Sequence, residues 1–312
     1  MSNQVRGQRP YPIWAIGGGK GGTGKTFLTA GLGAQLSRQG VPVNLIDADL
    51  GAPNLHTFLG VREPDPTLAE FFFDHLDLAE VLIDTELENL RFVAEPRRHL
   101  MMPNLEYFRK LRFLRQIREL ATRRLTIVDT GAGSALSTLD LFSIAKEPVL
   151  VINPNPASVE NLFLFLEAAV LRILRLTLRA LGLERAVNEA IPKHRRRQET
   201  PPELFRLAVS TDSTCHSKPR MALDQFQPCL VMNRSQGETD FLLGRSLVDV
   251  ARRCLELKIH FLGAIPDDPA VGGSLRHFRP FVTAHPDSDT ATSILLIMDR
   301  LLERSRCVEE QV

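Results

Sequence analysis

The sequence predicts an α/β protein: a doubly wound, mostly parallel sheet with helices on both faces and a partly helical insertion. Three observations predict it. Short apolar runs alternate with longer stretches of helical periodicity along most of the chain. Most of those runs are continuously apolar rather than alternating, as expected when helices cover both faces of a sheet. The length, 312 residues with 44% apolar, suits one large α/β domain with an insertion, or two domains, and can bury a sizeable core.

The elements follow in order. Residues 1–11 read as an N-terminal tail, and 12–181 as the first part of the core. Within it, Ile13–Ile16 is a strand leading into a glycine-rich turn, and Phe27–Arg38 is a helix stopped by Gly40. Val43–Asp47 is the next strand, and Arg91–Ala94 a short one. Leu105–Arg124 reads as a helix with a basic face, Leu125–Asp129 as a strongly apolar strand, and Pro148–Asn153 as another. A long helix runs from about Ser158 to Leu181, apolar on more than one side, so that either the insertion or a second subunit must cover it. Residues 182–226 break the alternation: KHRRRQ (193–198), TPPE (200–203) and the polar STDSTCHSKPR (210–220) read as a partly helical insertion. The core resumes over 227–312, with strands at Cys229–Asn233 and Ile259–Ile265 and a closing helix at Ala291–Arg304.

Composition excludes several classes. Lys plus Arg is 38 and Asp plus Glu is 37, so the net charge of +1 argues against a globally basic nucleic-acid binder. The four cysteines, at 215, 229, 254 and 307, form no CxxC pair, which disfavours a zinc ribbon, a redox pair or a disulfide scaffold. The first twelve residues, MSNQVRGQRPYP, have no apolar signal-peptide region. The most apolar stretch, Leu162 to Leu181, carries Glu167, Arg172, Arg175 and Arg179, so it does not read as a membrane span. A soluble cytoplasmic protein is expected, with peripheral contact at membrane or nucleoid left open.

The strongest chemical signal is GKGGTGKT, Gly19 to Thr26, which satisfies G-x-x-x-x-G-K-[ST] between a strand and a helix. Gly19, Gly21, Gly22 and Gly24 let the backbone curl so that successive N–H groups, with that of Thr23, point at phosphate oxygens. The helix beginning near Phe27 adds its partial positive charge. Lys25 would neutralise the β and γ phosphates, and the Thr26 hydroxyl would ligate Mg²⁺. A second lysine, Lys20, is not needed by an ordinary phosphate loop; it is either a solvated loop residue or a cation presented to a phosphate.

A Mg-nucleotide site also needs acids near the metal and near the attacking water. The second strand ends in IDADLG, placing Asp47 and Asp49 at the carboxyl edge of the sheet, where ligands bind in open α/β folds. Their i, i+2 spacing in extended chain would point both side chains the same way. Residues 125–133 read LTIVDTGAG: an apolar strand delivers Asp129 beside the phosphate loop, and Gly131 and Gly133 leave the next loop free to move.

These motifs resemble the MinD/ParA family of P-loop ATPases, in which Gly-Lys-Gly-Gly-x-Gly-Lys-Thr is the deviant Walker A motif. The resemblance covers roughly 12–170 and 228–304. It extends to Asn54–Gly60, to the proline-rich Pro154–Ser158, to Asn233-Arg234 and to Ile265–Val271. The DTGAG loop is closest to FlhG/FleN-type flagellar-number regulators. The resemblance implies bound ATP and Mg²⁺ and an ATP-sandwiched homodimer across which Lys20 reaches. It also implies a switch I in which Asp47 lies near the metal's water shell and Asp49 orients the hydrolytic water, and a switch II at Asp129–Gly133 that senses the γ-phosphate. Asn233, Arg234 and Pro266 would contact the base. The implied activity is slow ATP hydrolysis that switches a surface for positioning a flagellum, a division site or cargo. A regulatory protein would be the partner, with DNA or membrane as further candidates.

Two departures stand out. Phe27 occupies a position where many relatives have a second Ser or Thr on the α-phosphate, and Pro53 replaces a longer side chain in switch I. They leave open a nucleotide-gated scaffold with little hydrolysis. An iron–sulfur carrier ATPase is a third reading, weakened because such carriers use CxxC, which this sequence lacks, and a nitrogenase-type reductase is weakened because residues 131–150 contain no cysteine. The basic run Lys193, Arg195, Arg196, Arg197 and the basic face Arg109, Lys110, Arg112, Arg115, Arg118 read either as phosphate contacts or as solvated faces. The closing helix, diluted by Glu303, Glu309 and Glu310, reads as a core-covering helix rather than a lipid-binding one.

Overall fold

The computed structural model describes residues 10–49, 53–96, 107–191, 200–211 and 217–307. The basic run at 193–197, Cys215 and the residues beyond 307 lie outside the described residues. Eight strands, β1 (Ile13–Gly17), β2 (Val43–Ala48), β3 (Ile83–Asp84), β4 (Leu90–Val93), β5 (Leu125–Thr130), β6 (Glu147–Ile152), β7 (Cys229–Ser235) and β8 (His260–Pro266), form one sheet. Their order is β3-β4-β2-β5-β1-β6-β7-β8, and only the β3–β4 pair is antiparallel. The chain winds outward in both directions from β1, so the crevice at the carboxyl ends of the strands opens beside β1.

The first helices in chain order are α1 (Lys25–Arg38), α2 (Leu55–Phe58), α3 (Leu68–Phe73), α4 (Tyr107–Ala121), α5 (Leu136–Ile144) and α6 (Pro156–Ala180). They are followed by α7 (Glu184–Ala190), α8 (Pro201–Thr211), α9 (Ser217–Gln225), α10 (Glu238–Leu255), α11 (Ala270–Arg276), α12 (Phe281–Ala284) and α13 (Asp289–Cys307). Alternate strand residues go to opposite sides. Trp14, Ile16 and Leu45 pack under α1, α12 and α13. Ala15, Leu150 and Ile152 pack under α5, α6 and α10, while Ile46, Val93 and Val128 pack under α3 and α4. This two-sided burial is why the strands read as continuous apolar runs.

Expected and observed boundaries agree to within two residues for most elements, and the differences have local causes. Helix α1 begins at Lys25 because Gly24, at φ 95°, turns the chain straight from loop into helix. Helix α6 begins at Pro156 because the Asn155 side chain caps it, accepting from Ser158 N at 2.8 Å. Helices α2, α3, α5, α10, α11 and α12 and the two-residue β3 are not among the expected elements. β3 is too short to carry a periodicity, whereas α10 has the signs of a helix: Gly237 before it, acids in its first turn and Arg252 and Arg253 in its last.

The second apolar side of α6 is covered from within the chain. Val187 and Ile191, on and just after α7, and Leu204 and Ala208, on α8, share a cluster with Leu166, Val170 and Leu174. Helix α13 is a core helix as expected: Ile294, Ile297, Met298 and Leu301 are buried against the sheet. Its end is tied down by polar contacts, Trp14 Nε1 donating to Ser305 Oγ at 3.3 Å and Arg304 Nε to the buried Glu147 at 3.0 Å. Among the described residues no helix is long and apolar enough to cross a membrane.

Trp14 is fully buried at the centre of this arrangement. Trp14→Ala is expected to cost about 3–5 kcal/mol, the range for removing a large aromatic from a core. Urea unfolding followed by circular dichroism measures it, and a loss under about 1 kcal/mol would contradict the packing described.

Candidate functional site

A cleft of about 720 Å³ opens over the carboxyl end of β1. Its floor is the curled loop Gly21, Gly22, Gly24, Lys25 and Thr26, and Phe27 and Asp49 line one part of it. Asn233, Arg234 and Pro266, from the ends of β7 and β8, line it too. Residues up to 245 positions apart in sequence therefore meet in one cavity. Three expected loop members stand behind or beside it. Gly19 backs onto α6, where a Cβ would lie 2.1 Å from the Asn161 carbonyl oxygen. Thr23 is buried with an unpartnered hydroxyl, and Lys20 is exposed outside the cleft lining.

The loop is shaped for close approach by a ligand. Gly21 and Gly22 face open space, with no atom within 4 Å of where a Cβ would stand. Gly24 permits no side chain: its φ is 95°, and a Cβ would sit 2.0 Å from Asn233 Nδ2. That amide nitrogen donates to the Thr23 carbonyl at 2.8 Å, fastening β7 to the loop. One N–H of the Asn233 amide is thus committed to the chain itself, and its second N–H and its oxygen are left for a ligand.

The acids take separate positions. Asp47 and Asp129 are register partners on adjacent strands and both are buried. Burial pushes Asp129 up to about 7; the Thr26 hydroxyl and the Lys25 ammonium pull the other way without reversing it. Neither buried oxygen of Asp129 has a formed hydrogen bond. Asp47 is also raised, by burial first and by the Asp129 charge second. Its oxygens accept from Asp49 N at 3.3 Å and Leu55 N at 3.1 Å. β2 ends at Ala48, so the i, i+2 spacing straddles the end of the strand: Asp47 is buried in the sheet and Asp49 lines the cleft. Asp49 packs against the next loop, its Oδ1 being 3.2 Å from where a Cβ on Gly131 would stand. Gly133 N donates to Gly18 O at 3.0 Å, tying that loop to the phosphate loop.

Residues 14–281 match the CobQ/CobB/MinD/ParA nucleotide binding domain. The chain belongs to the MinD/ParA family of P-loop ATPases. It is 24% identical over 297 residues to an uncharacterized ATP-binding protein of Methanocaldococcus jannaschii, covering 92% of this chain and 86% of that protein. It is 29% identical over 161 residues to the antiactivator FleN of Pseudomonas aeruginosa, 51% of this chain and 57% of FleN. The match thus spans little more than half of FleN. In three dimensions it is similar to MinD of Pyrococcus horikoshii, solved with Mg-ADP, at a TM-score of 0.60 and 18% identity over 93% of this chain and 96% of that one.

The residues of this MinD/ParA chain fit a Mg-nucleotide. A buried carboxyl with two unpartnered oxygens, beside a second buried carboxyl, is a costly arrangement that a divalent cation relieves. The expected hydroxyl at position 27 is absent. Phe27 instead packs on Phe58 and Phe281, with ring centroids 6.2 and 5.5 Å away, and makes one wall of the cleft apolar.

Sequence reasoning missed one acid. Glu95, just past β4, is buried with an unpartnered Oε2, and it is pushed up to about 9 by burial and by the charges of Asp47 and Asp49. An acid directly after an apolar strand, in FVAEP, was the available signal. In the metal-free protein its neutral form is favoured. That contribution is complete below pH 4.5 and is lost as pH rises toward 9, because ionising the buried acid opposes folding. Glu95→Gln is therefore expected to stabilise the metal-free protein by roughly 2 kcal/mol at pH 8 and by little at pH 4.5. Urea unfolding at both pH values tests this; equal effects at the two would overturn it.

Proposed function

We propose that the chain is a Mg²⁺-dependent ATPase that closes as an ATP-bound homodimer and works as a nucleotide switch for spatial positioning. The observation that carries the reading is the single cleft lined by the phosphate loop, Asp49 and the β7–β8 tips, with the unpartnered Asp129 carboxyl behind it. The backbone N–H groups of residues 21–26 and the Lys25 ammonium would hold the triphosphate. The Thr26 hydroxyl and Asp129 would hold the metal, with Asp47 on its water shell; the metal supplies charge neutralisation between the phosphates. Asp49 would accept a hydrogen bond from the attacking water and orient it in line with the γ-phosphate. Lys25 would stabilise charge on the transferring phosphoryl group, and the exposed Lys20 would do so from the second subunit. The Asn233 oxygen would accept from the adenine amino group. Arg234 and Pro266 would flank the base.

Binding of ATP would draw the Gly131–Gly133 loop toward the γ-phosphate, and α5, which follows it, would carry the change to the surface that a regulatory protein, DNA or a membrane reads. The segment between α6 and β7 would be an insertion specific to this subset of the family. The resemblance of the DTGAG loop to FlhG/FleN-type flagellar-number regulators supports a flagellar setting.

The test is nucleotide binding and phosphate release with Mg²⁺, together with light scattering on size-exclusion chromatography. ATP is expected to shift the chain from monomer to dimer. Lys25→Ala should weaken nucleotide binding by about 100-fold, and Lys20→Ala should spare binding while lowering dimerisation and turnover. Unchanged affinity in Lys25→Ala would overturn the reading. The apolar Phe27 favours a second reading, a scaffold gated by nucleotide without turnover. It would show as ATP-dependent dimerisation with no phosphate release.

A further inference from the structure

A second cavity, of about 700 Å³, lies beside the first, beyond the tips of β7 and β8. The two share Pro266 and Asp267. The wall between them is the segment Arg234–Gly237. There Arg234 has φ 56° and Gly237 φ 146°, and the β7–β8 register slips between Asn233 and Ser235. Nothing in the proposed hydrolysis uses this cavity.

Its lining combines an apolar base with an acidic rim. Phe241, on the first turn of α10, is 38% exposed; one side of its ring stands edge-on to Phe261 at 5.2 Å, and the ring also borders the cavity. Phe261 is held in turn by Gly244, where any Cβ would lie 2.4 Å from it. Leu242 beside it is 50% exposed. The rim carries Glu238 and Asp267. Asp240 is committed to the helix cap, accepting from Gln236 N at 2.7 Å. Arg234, next to the cavity in sequence, reaches Asp267 only at 4.0 Å, with both groups more than half exposed.

We propose that this cavity is a docking site for a protein partner that inserts an arginine flanked by apolar side chains. The guanidinium would lie over the exposed part of the Phe241 ring and pair with Glu238 and Asp267, while the flanking side chains cover Leu242 and Pro266. The acidic rim repels DNA phosphates and anionic lipid, and a planar cation satisfies aromatic face and carboxylates together. The site rests on its own lining, of which Pro266 is also a proposed base contact.

The test uses the nucleotide-free full chain, ¹⁵N-labelled, at low salt, titrated with the tripeptide acetyl-Leu-Arg-Leu-amide. Saturable shifts are expected in the amides of residues 235–242 and 264–267, with a Kd of about 1–10 mM for so small a probe. The citrulline peptide, equal in shape and uncharged, should bind at least about fivefold more weakly. Glu238→Gln should weaken the arginine peptide to a similar degree, and Phe241→Leu, which keeps the apolar packing, should also weaken it. Equal binding of the citrulline peptide, shifts confined to other surfaces, or no loss in Glu238→Gln would overturn the proposal. Spectra of the variants that overlay the parent outside the cavity show that folding is retained.

Discussion

Asp49→Ala is expected to slow phosphate release by about 10²–10³-fold while changing ATP affinity less than about threefold. The split follows from position. Asp49 lines the cleft, whereas the amides and the Lys25 ammonium proposed to hold the phosphates belong to the loop at 21–26, and Asp47 and Asp129 are register partners in the sheet. On that proposal, removing Asp49 would leave the grip on the triphosphate intact. It would remove the proposed acceptor for the attacking water on the side of Gly131, the residue against which its carboxyl packs. An interaction made mainly in the transition state lowers turnover without weakening ground-state binding. Asp49→Asn, which keeps the shape and loses the charge, should fall between parent and Ala. Equal turnover in parent and Asp49→Ala would remove Asp49 from the mechanism and favour the scaffold reading.

The apparent affinity for Mg-nucleotide should rise about tenfold between pH 6 and pH 8, and Asp129→Asn should abolish that dependence. Asp129 is pushed up to about 7 in the metal-free protein because burial outweighs the help of Thr26 and Lys25. A carboxyl must be ionised to serve a cation, so binding below pH 7 carries the cost of removing a proton, about 1.4 kcal/mol per pH unit. Above pH 8 that cost is gone and the curve flattens. The same shift sets a stability trend of its own. In the metal-free protein, raised carboxyls favour folding when neutral, so their contribution is present below pH 3.8 and fades as pH rises through 7. Metal-free stability and metal affinity should therefore move in opposite directions with pH. Titrations of a fluorescent nucleotide with and without Mg²⁺ measure the first. A flat profile in the parent would show that Asp129 is ionised before the metal arrives.

Much of the nucleotide site was legible because its signals are local. A glycine loop between strand and helix, and acids at the tips of apolar strands, are chemical requirements written within a few residues of one another. Less legible were features created by pairing. Asp47 and Asp49 look equivalent in IDADLG, yet one is sealed beside Asp129 and the other opens into the cleft, because the strand ends between them. Glu95 carries no motif; it becomes notable only because β4 lies beside β2 and brings its carboxyl into the field of Asp47 and Asp49. Phe27 read as the loss of a hydroxyl, whereas its role in the fold is to build an aromatic wall with Phe58 and Phe281, residues far apart along the chain.

By itself the sequence determined the layered α/β architecture and the family, since hydrophobic period and short motifs depend only on near neighbours in the chain. Tertiary structure alone decided which acids are buried and which face the cleft. It also decided that an N–H of the Asn233 amide holds the loop, and that a second, acid-rimmed cavity stands beside the first. These depend on strand order and on the desolvation that packing imposes, quantities set by residues hundreds of positions apart.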